Sequence, residues 1–542
     1  MENKVSYWNK NLAEEFQVVR DKNQIPVFKN RSTSVAEMFW KTVKKFPNRL
    51  ALVYEESRLT YGELGDRVNR VAFNLANRYG IKAGDRVALL LSNGLGFPIC
   101  FFAIAQIGAI SVPLNTRLTG YEIIHEVDNS KSKLLIMDDE FWPQMNEIKD
   151  HIPSIQSIFV LGEAPSSPGV LSFDTLLKQY DAELVNLSVA ETQACSILYT
   201  SGTTGTPKGA ILTHRGLIST GMNFACTFQL QEDDSTLLAV PIFHITGMLQ
   251  FLGSIYRGIP VFIMKTFKTA KAIDLIKQHK PTVLVGVPTM YWFILTSPEF
   301  APDDFKQVRA LLYGGAPAPV SLIKLLREKI PQAKIHNGYG LTEGHGLDTL
   351  LPDEDALRKP ESIGLPVPLV DCKIIDENGN PKGPNQIGEL AVRGPKVMMG
   401  YWENQKATTE AIVDGWLRTG DLAKMDDEGY VYILDRKKDM INRGGEKIYS
   451  IEVENVLYSF PKVLEATVFG VEDEKYGEQV MAAIVLKPGE SATEGEIKEF
   501  CSAKLAKFKI PKYIEFLEQL PRNAGGKVLK QALRISHHII KQ

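Results

Sequence analysis

From about Ser34 to Met264, helix-like stretches such as Val68 to Arg78 alternate with short β-branched runs such as Lys133 to Met137 and Ser157 to Leu161. This alternation constrains the fold more than any other feature. Strands joined through helices run parallel and need cover on both faces, so the chain is predicted to be α/β, layered around mainly parallel sheets. The pattern resumes between Lys268 and Lys334, with strands expected from Thr282 to Gly286 and Val308 to Tyr313 and a helix from Ser321 to Lys329, which predicts a second α/β unit. From Asp371 the chain changes to short strands, Cys372 to Asp376 and Gly388 to Arg393, around the turn-rich ENGNPKG, as suits a small β subdomain. After the cluster Asp435-Arg436-Lys437-Lys438-Asp439 come a helix (Ser450 to Tyr458), strands (Glu465 to Val471, Gln479 to Leu486) and a helix from about Thr493 to Ala506. That tail reads as a compact α+β domain of roughly a hundred residues. The expected division is 1–437 and 438–542, with a hinge at the cluster.

At 542 residues the chain is too long for one core. Lys plus Arg (62) nearly cancels Asp plus Glu (64), so no global field favours nucleic acid or anionic lipid, and any phosphate must be held by local groups. The five cysteines, Cys100, Cys195, Cys226, Cys372 and Cys501, form no CxxC pair, which fits a reducing cytoplasm better than a zinc or dithiol site. The first residues mix both charge signs without an apolar core, so no signal peptide is expected. Val87 to Asn115 carries no formal charge and is long enough to span a bilayer. Asn93, Gly94, Gly96, Pro98, Gln106, Gly108 and Pro113 instead divide it into a strand, a short buried helix and a second strand, so no transmembrane segment is predicted.

The sharpest local signal is Tyr199-Thr200-Ser201-Gly202-Thr203-Thr204-Gly205-Thr206-Pro207-Lys208-Gly209, directly after the apolar run Cys195 to Leu198. Its glycines let backbone N–H groups approach an anion, its hydroxyls add donors and Lys208 adds a cation, so it suits a phosphate. It is not a Walker A loop: GK[ST] is missing, and a short strand (Ala210 to Leu212) follows where that motif has a helix.

Other stretches follow in order: Pro241-Ile242-Phe243-His244, Asn337-Gly338-Tyr339-Gly340-Leu341-Thr342-Glu343, Trp416-Leu417-Arg418-Thr419-Gly420-Asp421, the cluster at Asp435, Gly444-Gly445-Glu446-Lys447-Ile448 and Pro521-Arg522-Asn523-Ala524-Gly525-Gly526-Lys527. Together with the Thr/Gly loop they make the chain resemble, over nearly its whole length, the AMP-forming adenylating enzymes: acyl-CoA synthetases, luciferase-like enzymes and peptide-synthetase adenylation domains. The resemblance implies a large N-terminal domain of two α/β subdomains plus a small β subdomain, followed by a small mobile C-terminal domain. It also implies ATP, Mg²⁺ and coenzyme A as cofactors.

Attack of a carboxylate on the α-phosphorus of ATP brings two anions together, so the site must supply positive charge and positioned donors. By resemblance Lys527 meets that need during adenylation, Glu343 ligates the magnesium and Thr342 donates to the α-phosphate. Tyr339 is expected near the adenine, Asp421 on the ribose hydroxyls and Arg436 on the nucleotide from the other side. Thr200, Ser201, Gly202, Thr203, Thr204, Gly205 and Lys208 form the phosphate loop, and Gly315, Ala316, Pro317, Asn337, Gly338 and Gly340 complete the nucleotide wall. His244 falls where acyl pocket, thiol passage and phosphates meet; it is read as a gating residue, against a plain packing role. Lys438 takes the hinge position, and Gly444 and Gly445 line the passage for the pantetheine thiol.

Relatives that activate amino acids carry an aspartate beside the position of His244; here Ile245 stands there, which argues against an ammonium-bearing substrate. The remaining pocket candidates, Val287, Met290, Tyr291, Gly314, Gly315, Ala316, Gly338 and Gly340, are apolar or small. A medium- or long-chain fatty acid is expected, with an aryl acid of the cinnamate or benzoate type as the alternative. No carrier domain is apparent, so coenzyme A is the expected acceptor, with a separate carrier protein as the other candidate. Peripheral membrane contact and a homodimer remain compatible with this reading. The rivals in other classes are a binding protein that has lost the reaction and a luciferase-like monooxygenase.

Overall fold

The structure, a computed structural model, describes residues 8, 14–178, 189–200, 207–316, 318–522 and 528–541. Two large sheets dominate. In the first, among the described residues, seven strands run in the order Lys208–Thr213, Ala194–Thr200, Ile110–Pro113, Arg86–Leu90, Leu134–Asp138, Ser157–Leu161, Val170–Ser172. All pairs are parallel except the hairpin of Ala194–Thr200 with Lys208–Thr213.

The second sheet has a parallel centre, Lys334–Leu341, Ala310–Gly314, Val283–Gly286, Thr236–Leu238, Val261–Ile263 and Leu50–Tyr54, in that spatial order. Antiparallel strands close both of its ends: Gly346–Leu351 and Leu365–Pro366 on one side, Ser57–Thr60 on the other. The division between units therefore differs from the sequence expectation. Leu50–Tyr54, Thr236–Leu238 and Val261–Ile263 precede residue 268, yet they belong to the second sheet. Parallel pairing needs a crossover, so neighbours in a sheet can be far apart in sequence, and a boundary drawn along the chain cannot separate two interleaved sheets.

The uncharged segment resolves into strand Arg86–Leu90, helix Gly96–Gln106 and strand Ile110–Pro113. Every residue of that helix is buried, which accounts for the absence of charge. Among the described residues no helix is long and apolar enough to cross a membrane. Aromatic contacts lock this helix to its neighbours: Phe102 stacks on Phe39 of Val35–Lys45 at 4.3 Å between centroids and packs on Phe251 of Ile245–Arg257 at 5.6 Å. Each such ring stabilises the folded chain by roughly 2–3 kcal/mol through the area it removes from water.

Residues 371–436 form a small antiparallel sheet, as expected, of Asp371–Ile375, Gly388–Arg393, Trp416–Met425, Ile412–Val413 and Val431–Arg436. Beyond it, Ile441–Arg443, Glu446–Ile448, Val463–Asp473, Gly477–Leu486 and Tyr513–Phe516 build a separate sheet, covered by helices Ser450–Tyr458 and Glu494–Ser502 around a core of its own. The latter helix begins at a capping box, Thr493 with Glu496, and ends at Ser502, short of the expected Ala506. Between the small sheet and this last unit, Asp435 accepts from the Ser450 amide and hydroxyl, and Lys530 Nζ donates to the same hydroxyl at 2.8 Å. Burial pushes the Asp435 carboxyl up to about 6, opposed by the Lys530 charge.

His214, the first residue of helix His214–Thr227, is fully buried and accepts from the Val35 amide through Nδ1 at 3.2 Å, tying two helices together. Burial lowers its pKa from 6.5 to about 4. An imidazole depressed in this way binds fewer protons folded than unfolded, so the stability it contributes is whole above about pH 6.5 and is lost as pH falls toward about 4. His214→Asn keeps an acceptor for Val35 but takes up no proton. The dependence of Tm on pH in that window should therefore shallow by about one proton. An unchanged slope would mean that the imidazole is not held neutral.

Candidate active site

The hairpin that opens the site pairs Thr200 with Lys208 at the edge of the first sheet. Ser201, Gly202, Thr203, Thr204, Gly205 and Thr206 lie outside the described residues, as do Pro317 and Lys527. Opposite the hairpin, strand Lys334–Leu341 ends in a single 3-10 turn, Thr342–Gly344, which projects Glu343. One oxygen of the Glu343 carboxylate accepts from the Thr200 hydroxyl at 3.1 Å and from the Tyr401 hydroxyl at 3.0 Å. The Glu343 backbone carbonyl accepts from the Met398 amide at 2.8 Å. Lys208 Nζ lies 5.4 Å from the centroid of the Tyr401 ring. Burial, reinforced by the Glu343 charge, raises the Tyr401 phenol, so it acts as a donor and does not ionise.

A second cluster lies along the same strand. Tyr339 donates to Asp421 Oδ2 at 2.5 Å, and Arg436 Nε lies 3.3 Å from Asp421 Oδ1. The turn before Asp421 is built for this: Gly420 has φ +75, its amide donates to Glu389 at 3.1 Å, and the Asp421 amide donates to Thr419 Oγ1 at 3.1 Å. One carboxylate is thus gripped from the second sheet by Tyr339 and from the small sheet by Arg436. Asp421 is 3% exposed.

Close strand approach explains the glycines between these groups. A Cβ on Gly340 would lie 1.4 Å from the Gly346 carbonyl oxygen, and one on Gly314 would lie 2.3 Å from that of Gly338. Gly315 has φ +76 and with Ala316 is exposed at the end of Ala310–Gly314. Asn337 directs its amide to the Ser362 carbonyl at 3.1 Å, which is a structural use of a residue assigned to the nucleotide wall.

His244 is the N-cap of helix Ile245–Arg257, its Nδ1 accepting from the Thr246 amide at 3.3 Å. The next residue, Ile245, is buried, and a Cβ on Gly346 would lie 3.3 Å from it. Among the acyl-pocket candidates, Tyr291 is buried with its hydroxyl on the Leu312 carbonyl at 2.8 Å, and a Cβ on Gly286 would meet the Tyr291 ring at 3.3 Å and Met290 Cε at 3.6 Å.

In the C-terminal part, Lys438 is exposed in the turn that follows Val431–Arg436. Gly444 and Gly445, with φ of +60 and +93, form the tip of the hairpin Ile441–Arg443/Glu446–Ile448. Their amides donate to the Tyr476 carbonyl and to Asn442 Oδ1, within the C-terminal unit. Lys487 lies 5.2 Å from the Trp292 ring centroid, a contact between this last unit and helix Pro288–Thr296.

Tyr401 and Met398 had no place in the sequence reading. Their segment, Arg393-Gly394-Pro395-Lys396-Val397-Met398-Met399-Gly400-Tyr401-Trp402, follows a strand and carries left-handed or near-extended glycines, a pattern that marks a shaped strap without saying what it reaches. Beneath it Asp348 and Lys396 are both buried, with Nζ and Oδ1 3.8 Å apart. Burial pushes the Asp348 carboxyl up to about 7 and the Lys396 ammonium down, and each charge draws the other back.

Among the described residues no group of three His, Cys, Asp or Glu side chains could enclose a metal ion. Glu343 alone, beside hydroxyl groups, fits magnesium, which is typically held by one or two carboxylates together with substrate phosphates and water.

The sequence model of the AMP-binding enzyme family matches residues 39–402, and that of the AMP-binding enzyme C-terminal domain matches residues 452–527. Long-chain-fatty-acid–CoA ligase FadD13 of Mycobacterium tuberculosis is 36% identical over 485 residues, covering 88% of this chain and 93% of that protein. Feruloyl-CoA synthase of an Amycolatopsis species is 35% identical over 491 residues, covering 90% of this chain and 96% of that one. Among solved structures, o-succinylbenzoate coenzyme A synthetase (MenE) from Bacillus subtilis in complex with ATP and magnesium ion superposes with a TM-score of 0.81 at 33% identity, over 92% of this chain and 99% of that one. The two α/β sheets, the small sheet and the separate C-terminal sheet are thus the architecture of that enzyme, and the chain belongs to the AMP-binding enzyme family.

Proposed function

We propose that the chain joins a carboxylic acid to coenzyme A through an acyl-adenylate. The family uses ATP, Mg²⁺ and coenzyme A. The observation that carries the reading is the Glu343 carboxylate at the meeting of the hairpin, the second sheet and the strap, in the turn that follows the strand whose Tyr339 holds Asp421. A carboxylate oxygen of the acid attacks the α-phosphorus and pyrophosphate leaves; the thiolate sulfur then attacks the acyl carbon, and AMP leaves with the oxygen that made the bond.

In this reading Asp421 accepts the ribose hydroxyls while Tyr339 and Arg436 hold it in place, and Thr342 donates to the α-phosphate. Glu343 holds the magnesium, which draws charge from the phosphates when bound. Lys208, beside Tyr401, faces the phosphates from the hairpin. Lys527 supplies the cation that offsets the two anions as they meet. His244, fixed by its capping bond, is assigned to the junction of acyl and thiol channels, where it excludes water. Rotation of residues 438–542 about Lys438 exchanges Lys527 for the Gly444–Gly445 hairpin between the two steps, and 1–437 with 438–542 are the corresponding domains.

The preferred substrate is a medium- or long-chain fatty acid. Supporting it are a buried Ile245 where an ammonium-bearing substrate needs a counter-charge, and an adaptable Met290 beside Tyr291. An aryl acid is the second reading, favoured by a feruloyl-CoA synthase whose identity nearly equals that of the fatty-acid ligase. Initial rates with coenzyme A across acids from acetate to palmitate, plus benzoate and coumarate, separate the two: the first predicts the highest kcat/KM beyond about eight carbons, the second at coumarate or benzoate. Silence across the panel with ATP still bound would identify a binding protein that has lost the reaction.

Lys527→Ala should slow adenylation at least about 10²-fold, the scale of one lost transition-state stabiliser, while thioester formation from supplied acyl-adenylate survives. Near-normal ATP–pyrophosphate exchange in this variant would remove the role given to Lys527.

A further inference from the structure

Lys396 and Asp348 are 1% exposed each and take no part in the chemistry described above. Asp348 lies on strand Gly346–Leu351, immediately after the Glu343 turn, and its carboxylate presses on that turn. A Cβ on Gly344 would stand 2.4 Å from Asp348 Oδ2, and the Leu341 amide, at the other end of the turn, favours the charged carboxylate. Lys396 comes from the strap and donates to the Leu347 carbonyl on the same strand.

From this anchor the strap runs outward along a fixed set of backbone bonds. The Met398 amide reaches the Glu343 carbonyl at 2.8 Å, the Met399 amide reaches Ile211 at 3.0 Å and the Trp402 amide reaches Gly209 at 2.7 Å. Tyr401 pairs with Ala210 and places its hydroxyl on Glu343. Apolar side chains at positions 348 and 396 would fill the same space without specifying register, because dispersion contacts are not directional. A buried ammonium with one carboxylate and one carbonyl to satisfy tolerates no slip, since a displaced strap would leave both charges unpaired.

We propose that the buried Asp348–Lys396 pair positions the Glu343 carboxylate, by setting the register of the strap 394–402 against the Glu343 turn so that Tyr401 and Met398 meet it. Asp348 and Lys396 are positioning residues; neither touches substrate. The consequence for magnesium rests on the role given to Glu343 above, whereas the register itself does not.

The test is the double variant Asp348→Leu with Lys396→Met, which removes both charges and leaves none buried alone. Hydrogen exchange at the Met398 amide reads the register directly, and a magnesium titration of ATP–pyrophosphate exchange reads its consequence. We expect protection at Met398 to fall about tenfold or more. The half-saturating magnesium should rise about tenfold, as for lost outer partners of a metal ligand, with the KM of the acid changed less than about twofold. The neutral polar pair Asp348→Asn with Lys396→Gln carries the same expectations should the apolar double variant not fold. Wild-type protection at Met398 together with wild-type magnesium dependence in a folded variant would overturn the proposal. Lost protection with unchanged magnesium dependence would instead count against Glu343 as the ligand.

Discussion

The Glu343 carboxylate is the point on which the site depends, because three separately built pieces of chain converge there. Thr200 ends a strand of the first sheet, Glu343 follows a strand of the second, and Tyr401 lies on the strap leading from the small sheet. A half-buried carboxylate needs donors, and each of these hydroxyls supplies one at ordinary hydrogen-bond length. The same requirement recurs at Asp421, where the donors come from Tyr339 and Arg436. Two carboxylates on adjacent units are thus each held by donors from more than one piece of chain.

The glycines are the steric counterpart of these bonds. Strands Lys334–Leu341 and Gly346–Leu351 approach so closely at Gly340 that a methyl group would overlap a carbonyl oxygen. That approach brings Tyr339 and Glu343 to one edge within a single strand and turn. A wider separation would move one of them away from its partner and leave a buried acceptor without its donor, which costs roughly 1–3 kcal/mol.

Much of this was legible in the sequence, and the limits are physical. Helix Ser450–Tyr458 and strands Ser157–Leu161 and Gly388–Arg393 fall where the periodicity put them, because burial pattern and turn residues are local signals. The grouping of strands into sheets was not legible, since Val261–Ile263 pairs through space with Leu50–Tyr54 on one side and with Thr236–Leu238 on the other. Glu343, Asp421, Tyr339 and Arg436 were singled out by motif. The Tyr339–Asp421 bond, the Tyr401 hydroxyl on Glu343 and the buried Lys396 could not be, because each links positions tens of residues apart and a lysine inside an apolar run reads as exposed. Lys527 and the loop Ser201–Thr206 lie outside the described residues, and their assignment rests on the motifs alone.

The central claim is that the acid becomes joined to the α-phosphate, and isotopic labelling tests it most directly. With an acid carrying ¹⁸O in both carboxylate oxygens, turnover with ATP and coenzyme A should deliver one ¹⁸O into the phosphate of AMP, detected by mass spectrometry. Label appearing in inorganic phosphate with ADP as the nucleotide product, or AMP formed without label, would contradict the account.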